Sequence, residues 1–132
     1  MSEDDVQTIR RIYSALQGGE VHELRTALTH DIEWNLPEAL PWGGTHHGHD
    51  GVDALTEVFE EHVEGSWADP DDYLDAGDRI VVLGRACGRA RSSGQQFEVA
   101  FAHVWALADG VPSWFRGYLD TGPIIAALQG RG

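Results

Sequence analysis

The sequence predicts one α+β domain in which helical segments precede an antiparallel sheet that a short helix follows. Three observations support this prediction. The length of 132 residues suits one domain with one continuous core. Hydrophobic residues make up 42% of the chain and include five Trp, which is enough apolar material for a packed interior. Helical periodicity dominates the first half, and alternating β-rich runs separated by turns dominate the second.

Two helices are expected at the start of the chain. The first is expected between a capping box at Ser2 and Asp5 and a stop at Gly18-Gly19. Its apolar residues recur with helical spacing at Val6, Ile9, Ile12, Tyr13 and Leu16. A shorter second helix is expected from Val21 to Leu28.

A strand, a loop and a third helix come next. Apolar and polar residues alternate from Ile32 to Leu36 as in a strand, and Pro37 ends the pattern. The stretch from Glu38 to His49 has no periodicity and predicts an ordered loop at a pocket rim. Asp50 is expected to cap a third helix that ends near Gly65.

The rest of the chain predicts an antiparallel meander and a final helix. Strands are expected around Tyr73, from Ile80 to Arg91, from Phe97 to Leu107 and from Trp114 to Leu119. Turn residues separate them at Gly77-Asp78, Ser92-Ser93-Gly94 and Asp109-Gly110. Asp120 and Thr121 are expected to cap the short last helix, with Pro123 in its first turn.

Strand alternation divides the long strands into a small-residue row and a bulky row. The small row is Gly84, Ala86, Gly88, Ala90, Ala100, Ala102, Val104, Ala106, Phe115, Gly117 and Leu119. The bulky row is Arg85, Arg89, Arg91, Phe101, His103, Trp105, Trp114, Arg116 and Tyr118. A small-residue face indicates either close helix packing or a cavity. The bulky row has the composition of a homodimer interface, or of a face covered within one chain.

Charge and composition exclude several classes of partner. A net charge of −13 repels phosphates and anionic lipids, so neither nucleic acid nor a membrane is an expected partner. The first residues are acidic and resemble no targeting signal, which predicts a cytoplasmic protein. Cys87 is the single cysteine and is expected to be a packed residue. His46, His47 and His49 are too close in sequence for a standard metal site, so neither metal nor cofactor is expected.

Short motifs along nearly the whole chain agree in order and spacing with one protein family. They are Tyr13-Ser14-Ala15-Leu16, Gly19-Glu20, Glu33-Trp34-Asn35-Leu36-Pro37, Pro41-Trp42-Gly43-Gly44-Thr45, Gly48, His103-Val104-Trp105, Asp109-Gly110 and Phe115-Arg116-Gly117-Tyr118-Leu119-Asp120-Thr121. In this pattern the chain resembles SnoaL-like proteins of the nuclear-transport-factor-two-like, or ketosteroid-isomerase-like, superfamily. The resemblance implies a cone-shaped fold, with a strongly bent antiparallel sheet wrapped against three helices around a small-molecule pocket.

The catalytic residues of two characterised enzyme classes in this superfamily are absent. Limonene-epoxide hydrolases have an Arg and two Asp where this chain has Gly84, Ala86 and Gly117. Ketosteroid isomerases have a Tyr and a protonated Asp where this chain has Ile12 and Ala102. The resemblance therefore implies a fold without either mechanism.

The catalytic candidates are Glu33, Asn35 and His103. Glu33 and Asn35 share the polar face of the first strand, and burial of that face would raise the pKa of Glu33. His103 belongs to the His-x-Trp motif and is either a general acid or base or a hydrogen-bonded structural residue. The expected ligand-binding residues are Tyr13, Trp42, Trp67, Ala86, Ala102, Phe115, Gly117 and Leu119.

Three functions remain open at this point. The first is a cofactor-independent enzyme, such as an isomerase, cyclase, dehydratase or hydrolase, that acts by proton transfer on a hydrophobic substrate. The second is a non-catalytic binding protein for a small hydrophobic ligand. The third is an interaction domain that uses its sheet face to form a homodimer and has a filled interior.

Overall fold

The computed structural model describes residues 3–18 and 21–130. It contains three α-helices, one 3₁₀ helix and six strands. In chain order these are α1 (Glu3–Gln17), the 3₁₀ helix (Val21–Ala27), β1 (Glu33–Leu36), β2 (Gly44–His47), α2 (Gly48–His62), β3 (Val63–Asp75), β4 (Ile80–Ala90), β5 (Gln96–Ala108), β6 (Val111–Leu119) and α3 (Gly122–Leu128). The predicted α+β class is confirmed.

All six strands form one strongly curled open sheet in the order β2-β1-β6-β5-β4-β3. The expectation of a wholly antiparallel sheet is wrong at one junction, because β1 pairs in parallel with β6. The other pairs are antiparallel. A parallel pair needs a long crossover, and here the chain between β1 and β6 supplies it.

Several elements differ in extent from the sequence-based expectation. The second helix is a 3₁₀ helix, and the expected rim loop contains β2. The strand expected around Tyr73 extends over all of β3. Helix α2 begins before Asp50, with His47 at its N-cap position, so Asp50 lies in the first turn. Ser2 and Gly19, expected at the ends of α1, lie outside the described residues.

The hairpin between β5 and β6 closes through a two-residue turn. Asp109 and Gly110 have φ angles of 51° and 80°, and Ala108 pairs with Val111 across the turn. Two successive positive φ angles are typical of a type I′ turn, whose twist matches that of the strands. The expectation from the Asp-Gly dipeptide is therefore confirmed.

The concave face of the sheet and the helices enclose two hydrophobic clusters. The first cluster lies under α1 and includes Ile9, Tyr13, Trp34, Trp105 and Phe115. The second contains residues of α3, of the loop before β2, of the start of β3 and of the β4–β5 hairpin end: Leu40, Trp42, Val63, Ala90, Phe97, Val99, Ile124 and Ala127. Ser92 and Ser93 donate hydrogen bonds of 2.8 and 2.6 Å to the carbonyls of Leu128 and Ala127, which attach α3 to that hairpin.

The assignment of β5 residues to the two sheet faces was wrong. Residues that pair directly share a face, and Gly84 pairs with Phe101 while Ala86 pairs with Val99. The even-numbered residues of β4 therefore share the concave face with the odd-numbered residues of β5. Phe101, His103 and Trp105 point inward, and Ala100, Ala102, Val104 and Ala106 point outward.

Candidate functional site

His103 is the ionisable side chain at the centre of the interior. Its ring stacks on Phe101 with centroids 3.9 Å apart and meets the edge of Phe115 at 5.0 Å. Its Nδ1 atom lies 2.5 Å from the hydroxyl oxygen of Tyr13 on α1. The hydrogen-bond partner and the stacked rings fix the orientation of the imidazole.

Trp105 extends this contact into a chain of three side chains. Its indole Nε1 donates a 3.1 Å hydrogen bond to the hydroxyl oxygen of Tyr13. Trp105 and His103 are two residues apart on β5, so both face α1. The fold thus places Trp105, Tyr13 and His103 in contact inside a largely apolar core.

Burial determines the protonation states of His103 and Tyr13. Desolvation lowers the pKa of His103 to about 3, because an apolar interior disfavours the charged imidazolium. Burial likewise raises the pKa of Tyr13 far above its ordinary value, although the hydrogen bond from Trp105 opposes this effect. Both side chains are therefore neutral at physiological pH.

A strip of concave surface separates the two hydrophobic clusters, and we call it the seam. It is formed by Leu36, Ala86, His103 and Leu119. The three apolar members pack against both clusters. All four keep part of their surface accessible although they face inward. The seam is therefore the part of the concave surface that the two clusters share.

The lack of a side chain at Gly117 leaves space for Leu36 and His103 beside it. A Cβ atom at this position would lie 2.9 Å from Cδ2 of Leu36 and 3.5 Å from Cδ2 of His103. A larger residue at position 117 would therefore displace Leu36. The absence of a side chain here lets Leu36 and His103 lie close to the backbone of β6.

Glu33 and Asn35 lie together, but on the opposite face of the sheet. Trp34 stacks on Phe115 in the core at 3.9 Å, so its two neighbours on β1 point outward. The amide of Asn35 donates to Glu33 and to the Phe115 carbonyl, each at 3.1 Å, and accepts from Thr45 at 2.7 Å. Asn35 thereby joins β1 to both neighbouring strands.

The environment of Glu33 is the reverse of the apolar burial that would raise its pKa. Its carboxylate accepts hydrogen bonds from Asn35 and from Nε1 of Trp114, the latter at 2.9 Å. These bonds stabilise the charged form and hold the pKa of Glu33 below its ordinary value. Glu33 is therefore a carboxylate near neutral pH, and it does not face the seam.

The expected ligand-binding residues separate into three groups. Tyr13, Ala86, Phe115, Gly117 and Leu119 lie on the concave side at or beside the seam. Trp42 is buried in the second cluster, where it meets the edge of Phe59. Ala102 lies on the outer face. Trp67 of β3 is exposed and pairs with Cys87 of β4.

The histidines around the start of α2 make separate contacts with backbone oxygens. Nε2 of His46 lies 3.1 Å from the carbonyl oxygens of Trp42 and Gly43, and Nε2 of His49 lies 3.0 Å from that of Leu28. Within residues 3–18 and 21–130, no three His, Cys, Asp or Glu side chains are placed to hold a metal ion. In the same ranges no helix is long and apolar enough to cross a membrane.

Sequence analysis named His103 and Tyr13 separately but missed Trp105 as their partner. The His-x-Trp spacing contained the signal, because residues two apart on a strand share a face. Tyr13 follows Ile12 and Ile9 on the buried side of α1, which is the side that faces the sheet.

Comparison with known proteins identifies the architecture. The family model of the SnoaL-like domain matches residues 9–111. An NTF2-like protein of unknown function from Burkholderia pseudomallei superposes with a TM-score of 0.88 at 32% identity, covering 97% of this chain and 98% of that one.

Two solved structures with lower identity have the same fold. TerC, co-crystallised with polyporic acid, superposes with a TM-score of 0.87 at 22% identity and covers 96% of this chain and 99% of its own. A putative SnoaL-like polyketide cyclase from Jannaschia sp. gives 0.82 at 20% identity, with coverage of 97% and 95%. No functionally curated protein matches the sequence.

Proposed function

Since this chain belongs to the SnoaL-like domain family, we propose that it binds a small hydrophobic molecule at the seam, with His103 as the polar contact. The observation that carries this proposal is a hydrogen-bonding ring held beside partly accessible apolar residues that both hydrophobic clusters share. Ligand sites typically combine apolar walls with few fixed polar groups. Leu36, Ala86 and Leu119 are such walls. TerC, which has the same fold, was crystallised with a small organic ligand.

Binding without catalysis agrees best with the side chains available. The amide of Asn35 is buried, but its hydrogen-bonding groups are engaged in the sheet. Proton abstraction needs a base whose pKa lies near the working pH. The lowered pKa of His103 makes it a weak base.

A cofactor-independent enzyme is the second candidate, and the neutral imidazole favours it. A neutral histidine can polarise a substrate carbonyl by donating a hydrogen bond, and a lowered pKa keeps the imidazole in the form that does so. An isomerase, cyclase, dehydratase or hydrolase of this type would depend on His103. Replacing Glu33 with Gln would leave its turnover unchanged, because Glu33 lies on the other face of the sheet.

Filling the seam tests the site directly. N-phenyl-1-naphthylamine, a neutral probe that fluoresces in apolar surroundings, should bind to the native protein. Ala86→Phe should weaken its binding by roughly tenfold or more, because the new ring occupies the seam. Ala100→Phe makes the same substitution on the outer face and should leave the affinity unchanged.

Thermal melting must accompany this comparison, since overpacking also costs stability. Gly117→Ala is the milder second variant, because its new Cβ displaces Leu36, one of the walls of the seam. Equal probe affinity in native protein, folded Ala86→Phe and Gly117→Ala would place the ligand elsewhere and contradict the proposed site.

We further propose that the outer face of the sheet forms a homodimer. Several large exposed apolar side chains lie on this face: Trp67, Leu74, Leu83 and Tyr118. Leu83, Ala102 and Tyr118 are neighbours across three strands. The outward-facing alanines of β5 make the centre of this outer surface flat. An apolar centre is typical of homodimer interfaces. Phe101 and Trp105, expected at this interface, lie in the core instead.

Sedimentation velocity at micromolar concentration tests the dimer. Ala102→Glu places a charge at the centre of this outer surface and should shift the protein to monomer. Ala54→Glu on the exposed side of α2 is the control and should remain dimeric. A native protein that sediments as a monomer would contradict this interface.

A further inference from the structure

We propose that His103 presents a fixed Nε2–H donor to the seam, so that the bound molecule contacts it through a neutral carbonyl oxygen. This inference rests on the proposed function and specifies the ligand class. It follows from the donor and acceptor roles along the Trp105–Tyr13–His103 chain.

The direction of the hydrogen bonds begins at Trp105, which can only donate. Its Nε1–H points at the Tyr13 hydroxyl oxygen at 3.1 Å, so that oxygen accepts. The Tyr13 hydroxyl proton is then free to be donated, and the partner in reach is Nδ1 of His103 at 2.5 Å. A nitrogen that accepts a hydrogen bond carries no proton. Neutral His103 therefore carries its single N–H on Nε2.

The protonated side of the ring faces away from Tyr13. Cδ2, the carbon bonded to Nε2, lies 3.5 Å from the position of a Cβ at Gly117. The residue at 117 has no side chain, and in residues 3–18 and 21–130 Nε2 of His103 is not among the fully buried side-chain atoms that lack a hydrogen-bond partner. The Nε2–H edge therefore borders the seam, whereas the Nδ1 edge is covered by Tyr13.

A donor in this position selects ligands by their hydrogen-bonding atoms. A carbonyl oxygen only accepts and matches Nε2–H directly. An ammonium group only donates and leaves both partners unsatisfied, which is costly in an apolar site. A carboxylate would need a cation, and the described arginines that flank the sheet point outward or are exposed. The chemistry thus favours neutral ketones, quinones and esters on an apolar skeleton.

Nitrogen-15 NMR of the histidine side chains tests the first half of the inference. The two ring nitrogens of His103 should show the shifts of the Nε2–H tautomer in the free protein. Tyr13→Phe removes the hydroxyl that holds this tautomer, and a mixture of the two tautomers should appear. Trp105→Phe leaves Tyr13 in place and serves as the second variant. A native Nδ1–H tautomer would overturn the inference whatever the protein binds.

Three ligands with one bicyclic skeleton test the second half by calorimetry. They are 1-tetralone with a carbonyl, tetralin without a polar group and 1-aminotetralin with an ammonium group. The native protein should bind 1-tetralone roughly fivefold more tightly than tetralin, as for one net hydrogen bond. It should bind the amine most weakly. His103→Phe keeps the stacking on Phe101 and should abolish the preference for 1-tetralone.

The outcomes separate the two proposals. Equal binding of 1-tetralone and tetralin would overturn the ligand class and leave the proposed seam site intact. Absence of binding by all three, together with no binding of the naphthylamine probe, would overturn the proposed function and the ligand class with it. Tighter binding of 1-aminotetralin than of 1-tetralone would overturn the assigned donor.

Discussion

His103, Tyr13 and Trp105 connect one helix to the sheet by hydrogen bonds inside the core. Tyr13 contributes the only member from α1, and the other two come from β5. Buried polar groups of this kind stabilise a fold when all are satisfied and cost free energy when one partner is lost. Their state therefore affects the stability of the fold.

Stability should fall on acidification because of His103. Its pKa is about 3 in the folded protein and 6.5 in a model peptide, so the unfolded chain binds a proton that the folded chain refuses. The contribution of neutral, buried His103 to the free energy of unfolding is fully present above pH 6.5. Below that pH the free energy of unfolding decreases by about 1.4 kcal/mol per pH unit. Urea unfolding between these two pH values should reveal this slope. In His103→Phe and His103→Gln the slope should decrease, and an unchanged slope would contradict the assignment.

The carboxylate of Glu33 should titrate below its ordinary range. The hydrogen bonds from Asn35 and Trp114 favour its charged form, so their stabilisation is present at neutral pH and is lost as the pH falls through the lowered pKa. Trp114→Phe removes one donor and should raise the pKa of Glu33. Carbon-13 NMR of the carboxyl group measures this shift. Tyr118→Phe, which changes no contact of Glu33, should not alter the pKa.

The sequence identified the candidate side chains, but it did not predict the sheet face of each one. His103, Tyr13 and Gly117 were all named from the sequence, but His103 was placed on the wrong face. Alternation along one strand can be read from a sequence, whereas the register between strands depends on hairpin geometry. The pairing of Gly84 with Phe101 could not be read from either strand alone.

At the scale of elements, β3 and β4 approach each other closely where Gly84 lies. A Cβ at this position would be 2.4 Å from the Asp69 carbonyl oxygen and 2.8 Å from both Cα of Pro70 and Cζ of Phe101. Two of these atoms belong to the backbone and cannot rotate away. Gly84→Ala should therefore lower the free energy of unfolding by roughly 1–3 kcal/mol.

Chemical denaturation measures the effect of Gly84→Ala. Gly122→Ala is the matched control, because its new Cβ meets only Asp120 Oδ1 at an ordinary 3.5 Å. It should leave stability nearly unchanged or increase it slightly. Similar destabilisation by both substitutions would contradict the close approach at Gly84.

Element boundaries followed local signals where those signals were strong. The hairpin turn at Asp109-Gly110 and the presence of the periodic helices α1 and α2 agree with expectation, although α2 begins at Gly48 and not at an Asp50 cap. Strand β2 was missed because its four residues, Gly44–His47, have no apolar alternation. They become a strand through pairing with β1, which is a tertiary effect.

At the scale of the whole molecule, the fold class followed from the order of elements and the family motifs. The parallel junction of β1 with β6 did not, because no local pattern indicates it. The net charge of −13 has its own consequence for stability. Like charges repel more in the compact state than in the extended chain.

Salt should consequently stabilise this protein. The ion pairs of the described residues, such as Arg85–Glu98, are exposed and contribute little. Screening should therefore relieve more repulsion than attraction. The melting temperature should rise between about 0.01 M and about 0.15 M sodium chloride, over which the Debye length falls from about 30 to about 8 Å. A fall over this range would indicate that the ion pairs dominate.

The junction of β1 with β6 also determines when the protein can finish folding during synthesis. Asn35 on β1 bonds the carbonyl of Phe115, 80 residues later. Until β6 has left the ribosome, β1 can pair only with β2, so the completed core does not yet cover Trp34 and Ile32. The β4–β5–β6 meander, whose contacts are local, can form first and act as a template. A nascent chain stalled before Val111 would leave these aromatic and aliphatic side chains in water, where chaperones bind.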